Sequence, residues 1–236
     1  MFISIVVPFH NEEQNLKLLL PRLFKSVRKL KKIKYEIILV NDFSNDKSLN
    51  ICKKFVKKKK RFSVINLKKR GGQTGAFREA VIKMRGSYMI RMDSDLQDRP
   101  EDLKLFIGKI LEGYELVIGN RRERKHSYLL GYCSNIYNKI MKSILNVRIN
   151  VFTSSFVAFK KSYLKNLPWF YNDHRYLPAI LISRGAYKVT EVDIKHLKRK
   201  YGNSKYNLIK KIILGIPEVL LFLLRLKFGF YNLKNK

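Results

Sequence analysis

With 236 residues, 46% of them hydrophobic, the chain carries enough apolar side chain to bury a full core, which excludes a disordered protein. Against 18 Asp and Glu stand 50 Lys and Arg, a formal charge of +32. Such an excess fits an anionic partner (nucleic acid, an anionic membrane surface or phosphorylated substrates) or a lysine-rich proteome with no partner at all.

The first residues, MFISIVVPFHNEE, run apolar at once and lack the basic start and small-residue cleavage site of a leader, so they predict a buried strand over Phe2 to Val7. Leu16, Leu19, Leu20, Leu23, Phe24 and Val27 recur at helical spacing, predicting a helix from Glu13 to Leu30. Strands follow over Glu36 to Val40 and Phe62 to Leu67, with a helix from Leu49 to Lys60 between them. Gly71-Gly72 opens a helix reaching Met84, Ser87 to Met92 is a strand, Leu103 to Leu111 a helix and Glu115 to Ile118 a strand. The second half predicts a helix over Tyr128 to Leu145, a strand over Phe152 to Phe159, a helix over Tyr176 to Ser183 and a strand over Tyr187 to Ile194. From Asn207 the chain turns apolar again. The two cysteines, Cys52 and Cys133, have neither metal-ligand spacing nor a disulfide pattern and are expected to be reduced, as in a cytosolic protein.

Strands alternating with helices imply an α/β fold: right-handed units on a mostly parallel sheet, with ligands beyond the carboxyl ends of the strands. His10-Asn11-Glu12, Asn41-Asp42, Lys69 to Gln73 and Asp93 to Gln97 all fall at those ends, so that edge is the expected site. Asp93-Ser94-Asp95 leaves its strand with two carboxylates one residue apart, able to hold a divalent cation between protein oxygens and a diphosphate. A solvated acidic turn leading into the next helix is the plainer alternative. Asp42 could accept from a base or ribose, or simply bond its own turn. Lys69-Arg70-Gly71-Gly72-Gln73 brings cations and open backbone amides to a helix start, as a phosphate cradle or as an ordinary turn.

These residues resemble family 2 glycosyltransferases of the GT-A fold, within them the polyprenyl-phosphate group represented by dolichyl-phosphate mannose synthase. Val6-Val7-Pro8-Phe9-His10-Asn11-Glu12 resembles the VVPxYNE opening, and Val40 to Asp46 the VNDGSxD segment. Gly72-Gln73 with Ala76 is similar to the GQxxA loop, Met92 to Glu101 to MDADLQDPPE, and Gly119-Asn120-Arg121 to G-x-R. His196, Arg199 and Gly202-Asn203-Ser204-Lys205-Tyr206 resemble the late R-x-x-G-x-SKY segment.

The resemblance implies a single Rossmann-like nucleotide-sugar-binding domain over residues 1–206, followed over 207–236 by an apolar, basic helical segment. It implies an inverting, metal-dependent enzyme using Mg²⁺ or Mn²⁺, with Asp93, Asp95 and Gln97 as the metal site. Pro8, His10, Glu12, Asp42, Gly72, Gln73, Asp93 and Ser94 would bind the UDP- or GDP-linked donor. Asp95, Arg121 and Arg199 would be catalytic, the arginines at phosphates, and Ser134, Arg175, Tyr176, Ser204 and Lys205 would meet the acceptor. The chain departs from the pattern at Phe43, where relatives carry glycine. It departs again at Val151 and Val157, where they show the acid and arginine of D-x-x-S-G-F-R, and at Leu129 to Tyr132, which lack an expected arginine.

An acceptor hydroxyl would need a general base, for which Asp173 is the candidate in the second half, while a phosphate is already ionised and needs cations instead. Abundant Lys and Arg with scarce acids favour a phosphate acceptor, which the resemblance implies is a polyprenyl phosphate; a hydroxyl on a lipid-linked or surface glycan is the alternative. Ile212 to Leu224 is apolar but broken by Gly215, Pro217 and Glu218, too short to span a bilayer, and predicts an interfacial helix on an anionic membrane, at the cytoplasmic face, or else a core helix. A basic nucleic-acid-binding protein would explain the charge but not the acidic strand end, so no nucleic acid partner is expected.

Overall fold

The fold grows from its first strand. In the computed structural model, which describes residues 1–30, 33–121, 128–197, 200–201 and 208–233 (backbone course alone at 128–133 and 208–214), β1 (Phe2–Phe9) is buried along nearly its whole length. Ile5 and Val7 pack on one face and Val6 on the other, as expected of a strand covered on both sides. It pairs in parallel with β2 (Lys34–Asn41) and with β4 (Tyr88–Arg91), and β2 pairs in parallel with β3 (Phe62–Asn66). Adding β5 (Leu116–Arg121), β6 (Val157–Lys160) and β7 (Val189–Ile194) completes a seven-stranded sheet in the order β3-β2-β1-β4-β6-β5-β7. Among the described residues only β6 runs antiparallel to its neighbours, between β4 and β5.

Three helices cover one face: α1 (Glu13–Arg28), α2 (Ser48–Val56) and α4 (Leu103–Leu111). The apolar stripe of α1, Leu16, Leu19, Leu20, Leu23 and Val27, is buried there with Phe106, Ile107 and Ile110 of α4. Cys52 of α2 lies in the same core as a free thiol, which burial pushes up to about 12. The opposite face is covered by α3 (Gly72–Lys83), α5 (Tyr128–Leu145), α6 (Leu177–Ser183) and α7 (Leu208–Lys227). Ala76, Phe77 and Ala80, Tyr137 and Met141, most of α6, and Phe222 share its core.

The C-terminal segment is therefore packed on the sheet along one side. Phe222 of α7 stacks on Tyr176, with ring centroids 4.2 Å apart, and Tyr231 beyond the helix is fully buried. The other side of α7 is open: Ile216, Leu220, Leu221 and Leu224 are about half exposed, as is Phe230, and Phe228 more so.

The predicted strand over Phe152 to Phe159 is shorter than expected. At its predicted start the Phe152 amide donates to Asn138 Oδ1, a side chain in place of a neighbouring strand, and just before it the amides of Asn150 and Val151 donate to the Glu191 carboxylate. Ladder pairing begins only at Val157.

Candidate active site

At the carboxyl ends of β1 and β2 the two following loops are stitched together. His10 donates from Nδ1 to the Asp42 carbonyl at 2.7 Å, and the Asn11 amide donates to Ser44 Oγ at 3.0 Å. Asn45 N donates back to Asn11 Oδ1 at 2.9 Å, and Glu12 N to Ser48 Oγ at 2.9 Å. Pro8 lies buried in β1 opposite Val40, one step before this seam. Asp42, only 6% exposed, turns Oδ1 onto the amides of Gly71 (2.7 Å) and Gly72 (3.1 Å). Gly72 takes φ +65, a backbone state cheap only for glycine. The carboxylate at the end of β2 thus fixes the glycine loop that starts α3.

From that loop Gln73 reaches across to the end of β4, where its Nε2 donates to Asp93 Oδ1 at 3.4 Å. Beyond Asp93 the chain makes a tight acidic turn. Gln97 N donates to Asp95 Oδ1 at 3.1 Å, Leu96 sits at φ +65, and Ser94 is buried. Gln97 Nε2 lies 3.2 Å from His196 Nε2, and the Leu197 amide donates to the Gln97 carbonyl, so the segment after β7 packs over this turn. Asp93 and Asp95 remain partly exposed, oxygen donors one residue apart. Among the described residues no group of three His, Cys, Asp or Glu forms a cage. This donor set fits a hard cation that takes one or two carboxylates and completes its shell with phosphate oxygens and water.

Asp98 holds the turn from beneath. It is fully buried, accepts the Asp93 amide at 3.4 Å and Ser155 Oγ at 3.3 Å, and pairs with Arg121 Nη2 at 2.7 Å. Burial pushes its carboxyl upward and Arg121 opposes that push. Arg121 also donates to Ser155 Oγ. Expected at donor phosphates, Arg121 here has one terminal nitrogen engaged inside the protein, bracing the acidic turn through Asp98.

Sequence reasoning missed Arg91. It lies on β4, 2% exposed, with its guanidinium 4.4 Å over the Phe77 ring. It donates to the His174 carbonyl and, at 3.1 Å, to Gln73 Oε1, and stands 4.0 Å from Asp93 Oδ1. His174 in turn places Nδ1 2.8 Å from Thr74 Oγ1 of α3. Burial, with Arg91 and Arg175 nearby, pushes the His174 imidazole down to about 2, so it stays neutral. The signal that could have found Arg91 was present in the sequence: a lone charge inside the apolar run Tyr88-Met89-Ile90-Arg91-Met92.

The residues expected at the acceptor fare differently. Asp173, the candidate base, is 1% exposed. One carboxylate oxygen accepts from the Phe170 amide (2.8 Å) and the other from Tyr231 Oη (2.8 Å), with burial pushing the group upward. Both carboxylate oxygens are thus engaged inside the protein, tying this segment to the C-terminal residues. Tyr176 is likewise a core residue, stacked on Phe222. Arg175 is exposed but pairs with Glu218 of α7 at 2.8 Å. Ser134 is half-buried on α5. Arg199, Ser204 and Lys205 lie outside the described residues.

Comparison with known proteins gives the family and the fold. The model of glycosyl transferase family 2 matches residues 4–167. Undecaprenyl-phosphate 4-deoxy-4-formamido-L-arabinose transferase of Shewanella sediminis is 33% identical over 212 residues, covering 89% of this chain and 63% of that protein. The protein so named in Pseudomonas fluorescens is 30% identical over 212 residues, covering 89% and 62%. The chain spans less than two thirds of the length of these relatives. Glucosyl-3-phosphoglycerate synthase from Mycobacterium tuberculosis, solved with Mn²⁺, uridine diphosphate and glucosyl-3-phosphoglycerate, superposes with a TM-score of 0.70 at 17% identity, covering 95% of this chain and 79% of that one. That likeness shows the GT-A fold.

Proposed function

This chain belongs to glycosyl transferase family 2, and from that premise we propose that it moves a sugar, with inversion, from a nucleotide-diphosphate-sugar to a polyprenyl phosphate. The observation that carries the choice of acceptor is the state of Asp173. A hydroxyl acceptor needs a base within hydrogen-bond reach, and the carboxylate that sequence offered for the task is buried and doubly bonded. An acceptor phosphate is ionised already and needs only cationic positioning, which a chain of charge +32 supplies readily. The names of the undecaprenyl-phosphate relatives support the same choice.

On this reading the nucleoside lies over the β1 and β2 ends, against Pro8, His10, Glu12 and Asp42, and the diphosphate lies between the Gly72-Gln73 loop and Asp93-Ser94-Asp95. Asp93 and Asp95, with Gln97 beside them, are the residues to hold Mg²⁺ or Mn²⁺, which when bound offsets charge on the leaving nucleoside diphosphate. The Mn²⁺ and uridine diphosphate in the mycobacterial structure support that assignment. Asp98 and Arg121 keep the acidic turn in shape, and Gln73 ties it to the glycine loop. Arg199, Ser204 and Lys205 would face the phosphates, with Arg175 and Ser134 towards the acceptor side.

We assign residues 1–206 to catalysis and 207–236 to contact with an anionic membrane at its cytoplasmic face. Among the described residues no helix is long and apolar enough to cross a membrane. The open side of α7 offers Leu220, Leu221 and Leu224 to lipid tails, with Phe228 just beyond the helix and Lys227 exposed beside it, a pattern suited to lying in the interface. A second copy of so basic a chain would be repelled from that face, whereas anionic lipid is attracted to it.

The test is transfer of label from a panel of radiolabelled nucleotide sugars, with Mg²⁺ or Mn²⁺, into short-chain polyprenyl phosphate. Label entering the organic phase, and lost in Asp95→Ala, is the expected result. Folded protein that labels no lipid with any donor would overturn the proposal.

A further inference from the structure

Phe43 has an unusual backbone for its side chain. It follows Asp42 directly, takes φ +57, and is 53% exposed. A bulky aromatic residue in the left-handed region is a genuine outlier, because its Cβ crowds the carbonyl that follows. Nothing in the folded chain compensates at the ring: among the described residues no aromatic ring or cation packs on it. The backbone around it, by contrast, is firmly held. Ser44 N donates to Asn41 Oδ1, Asn11 N to Ser44 Oγ, and His10 Nδ1 to the Asp42 carbonyl, so the turn keeps its shape whatever stands at position 43. Strain kept in place by its surroundings, with an apolar ring left in water, marks a residue retained for a ligand.

Position supplies the ligand. Asp42 ends β2, Asp93 ends β4, and β1 lies between them in parallel register. Two strand spacings separate those ends, roughly 10 Å, about the length of a nucleoside from base to diphosphate. With the diphosphate at Asp93, the base falls beside Asp42 and within reach of the neighbouring ring. We propose that Phe43 is a base-stacking residue, its exposed ring covering one face of the donor's nucleobase. This rests on the nucleotide-sugar reading above and adds to it a residue and a mode of binding. Stacking contributes to affinity for uracil and guanine alike, because every base presents a π-face.

The test is calorimetric titration of the full chain with UDP, GDP and pyrophosphate in the presence of Mg²⁺, for the wild type, Phe43→Gly and Phe43→Tyr. Phe43→Gly is expected to weaken both nucleotides about 5- to 100-fold and to leave pyrophosphate unchanged, while its Tm rises by about 2–4 °C as the strain is relieved. Phe43→Tyr keeps nucleotide affinity. Equal nucleotide affinity in wild type and Phe43→Gly would overturn the stacking role alone, and so would an equal loss for pyrophosphate. A folded wild type that binds neither UDP nor GDP would overturn the donor reading itself, and the stacking role with it.

Discussion

Arg91 and Gln73 meet beneath the carboxyl edge of the sheet: the buried guanidinium donates to Gln73 Oε1 at 3.1 Å, and the same amide turns its Nε2 onto Asp93. A strand residue sealed from water thereby sets which way the glycine loop presents its side chain to the acidic turn. Replacing Arg91 with Met would leave the His174 carbonyl and Gln73 Oε1 without their donor. Urea unfolding should show a loss of about 2–4 kcal/mol. Arg91→Lys keeps the charge but not the fork; it should remain folded and lose at least about tenfold in transfer rate through misplacement of Gln73. Unaltered transfer in folded Arg91→Lys would show that this bracing has no catalytic consequence.

The Asp98–Arg121 pair is buried, so removing one partner should cost more than removing both. Asp98→Asn leaves the Arg121 charge uncompensated and should destabilise by about 3–5 kcal/mol. Combining it with Arg121→Met should recover part of that loss. Denaturant titration of the two single variants and the double gives the answer, and strict additivity would contradict a coupled pair.

His174 gives a pH dependence whose sign follows from its burial. Its folded pKa, about 2, lies below the unfolded value near 6.5, so the unfolded chain binds the extra proton first. The contribution of neutral His174 is fully present above about pH 6.5 and is lost as pH falls towards 2, by at most about 1.4 kcal/mol per pH unit. Arg91 and Arg175 face the ring and oppose its charging. His174→Gln, which can still bond Thr74, should flatten stability between pH 6.5 and 5 relative to wild type. Parallel curves for the two proteins would exclude His174 as the source.

The open face of α7 should govern membrane binding without governing folding. The triple substitution Ile216→Ser, Leu220→Ser, Leu224→Ser is expected to weaken sedimentation with phosphatidylglycerol vesicles at least about tenfold, at nearly unchanged Tm, since all three side chains are about half exposed. Wild-type binding should also fall with added salt and with neutral phosphatidylcholine vesicles. Undiminished sedimentation of the triple variant would move the contact elsewhere.

Much of this architecture was legible in the sequence wherever one local pattern decided the outcome. The helices predicted over Leu103 to Leu111 and Tyr128 to Leu145 have their ends as observed. The polar clusters did mark the carboxyl edge, because in a parallel sheet every strand delivers its last residues there. What escaped depends on contacts distant in sequence. Antiparallel β6 is set by pairing with β4 and β5, which no local pattern shows. Asp173 was expected as a base because it is the candidate carboxylate of the second half, and Tyr176 was expected at the acceptor from the family resemblance. Their contacts with Tyr231 and Phe222 come from the C-terminal segment folding back, which no local pattern shows. The Asp98–Arg121 brace was half visible: both residues stood inside recognisable motifs, but nothing local joined them.

The most direct measurement is competition between two lipids of the same chain length, a polyprenyl phosphate and the corresponding polyprenol, for label from the active nucleotide sugar. The phosphate should be labelled in a reaction abolished by chelator and by Asp95→Ala, with the alcohol left unlabelled. Label passing to the alcohol, or to both equally, would contradict an acceptor site built for phosphate and return a general base to the search.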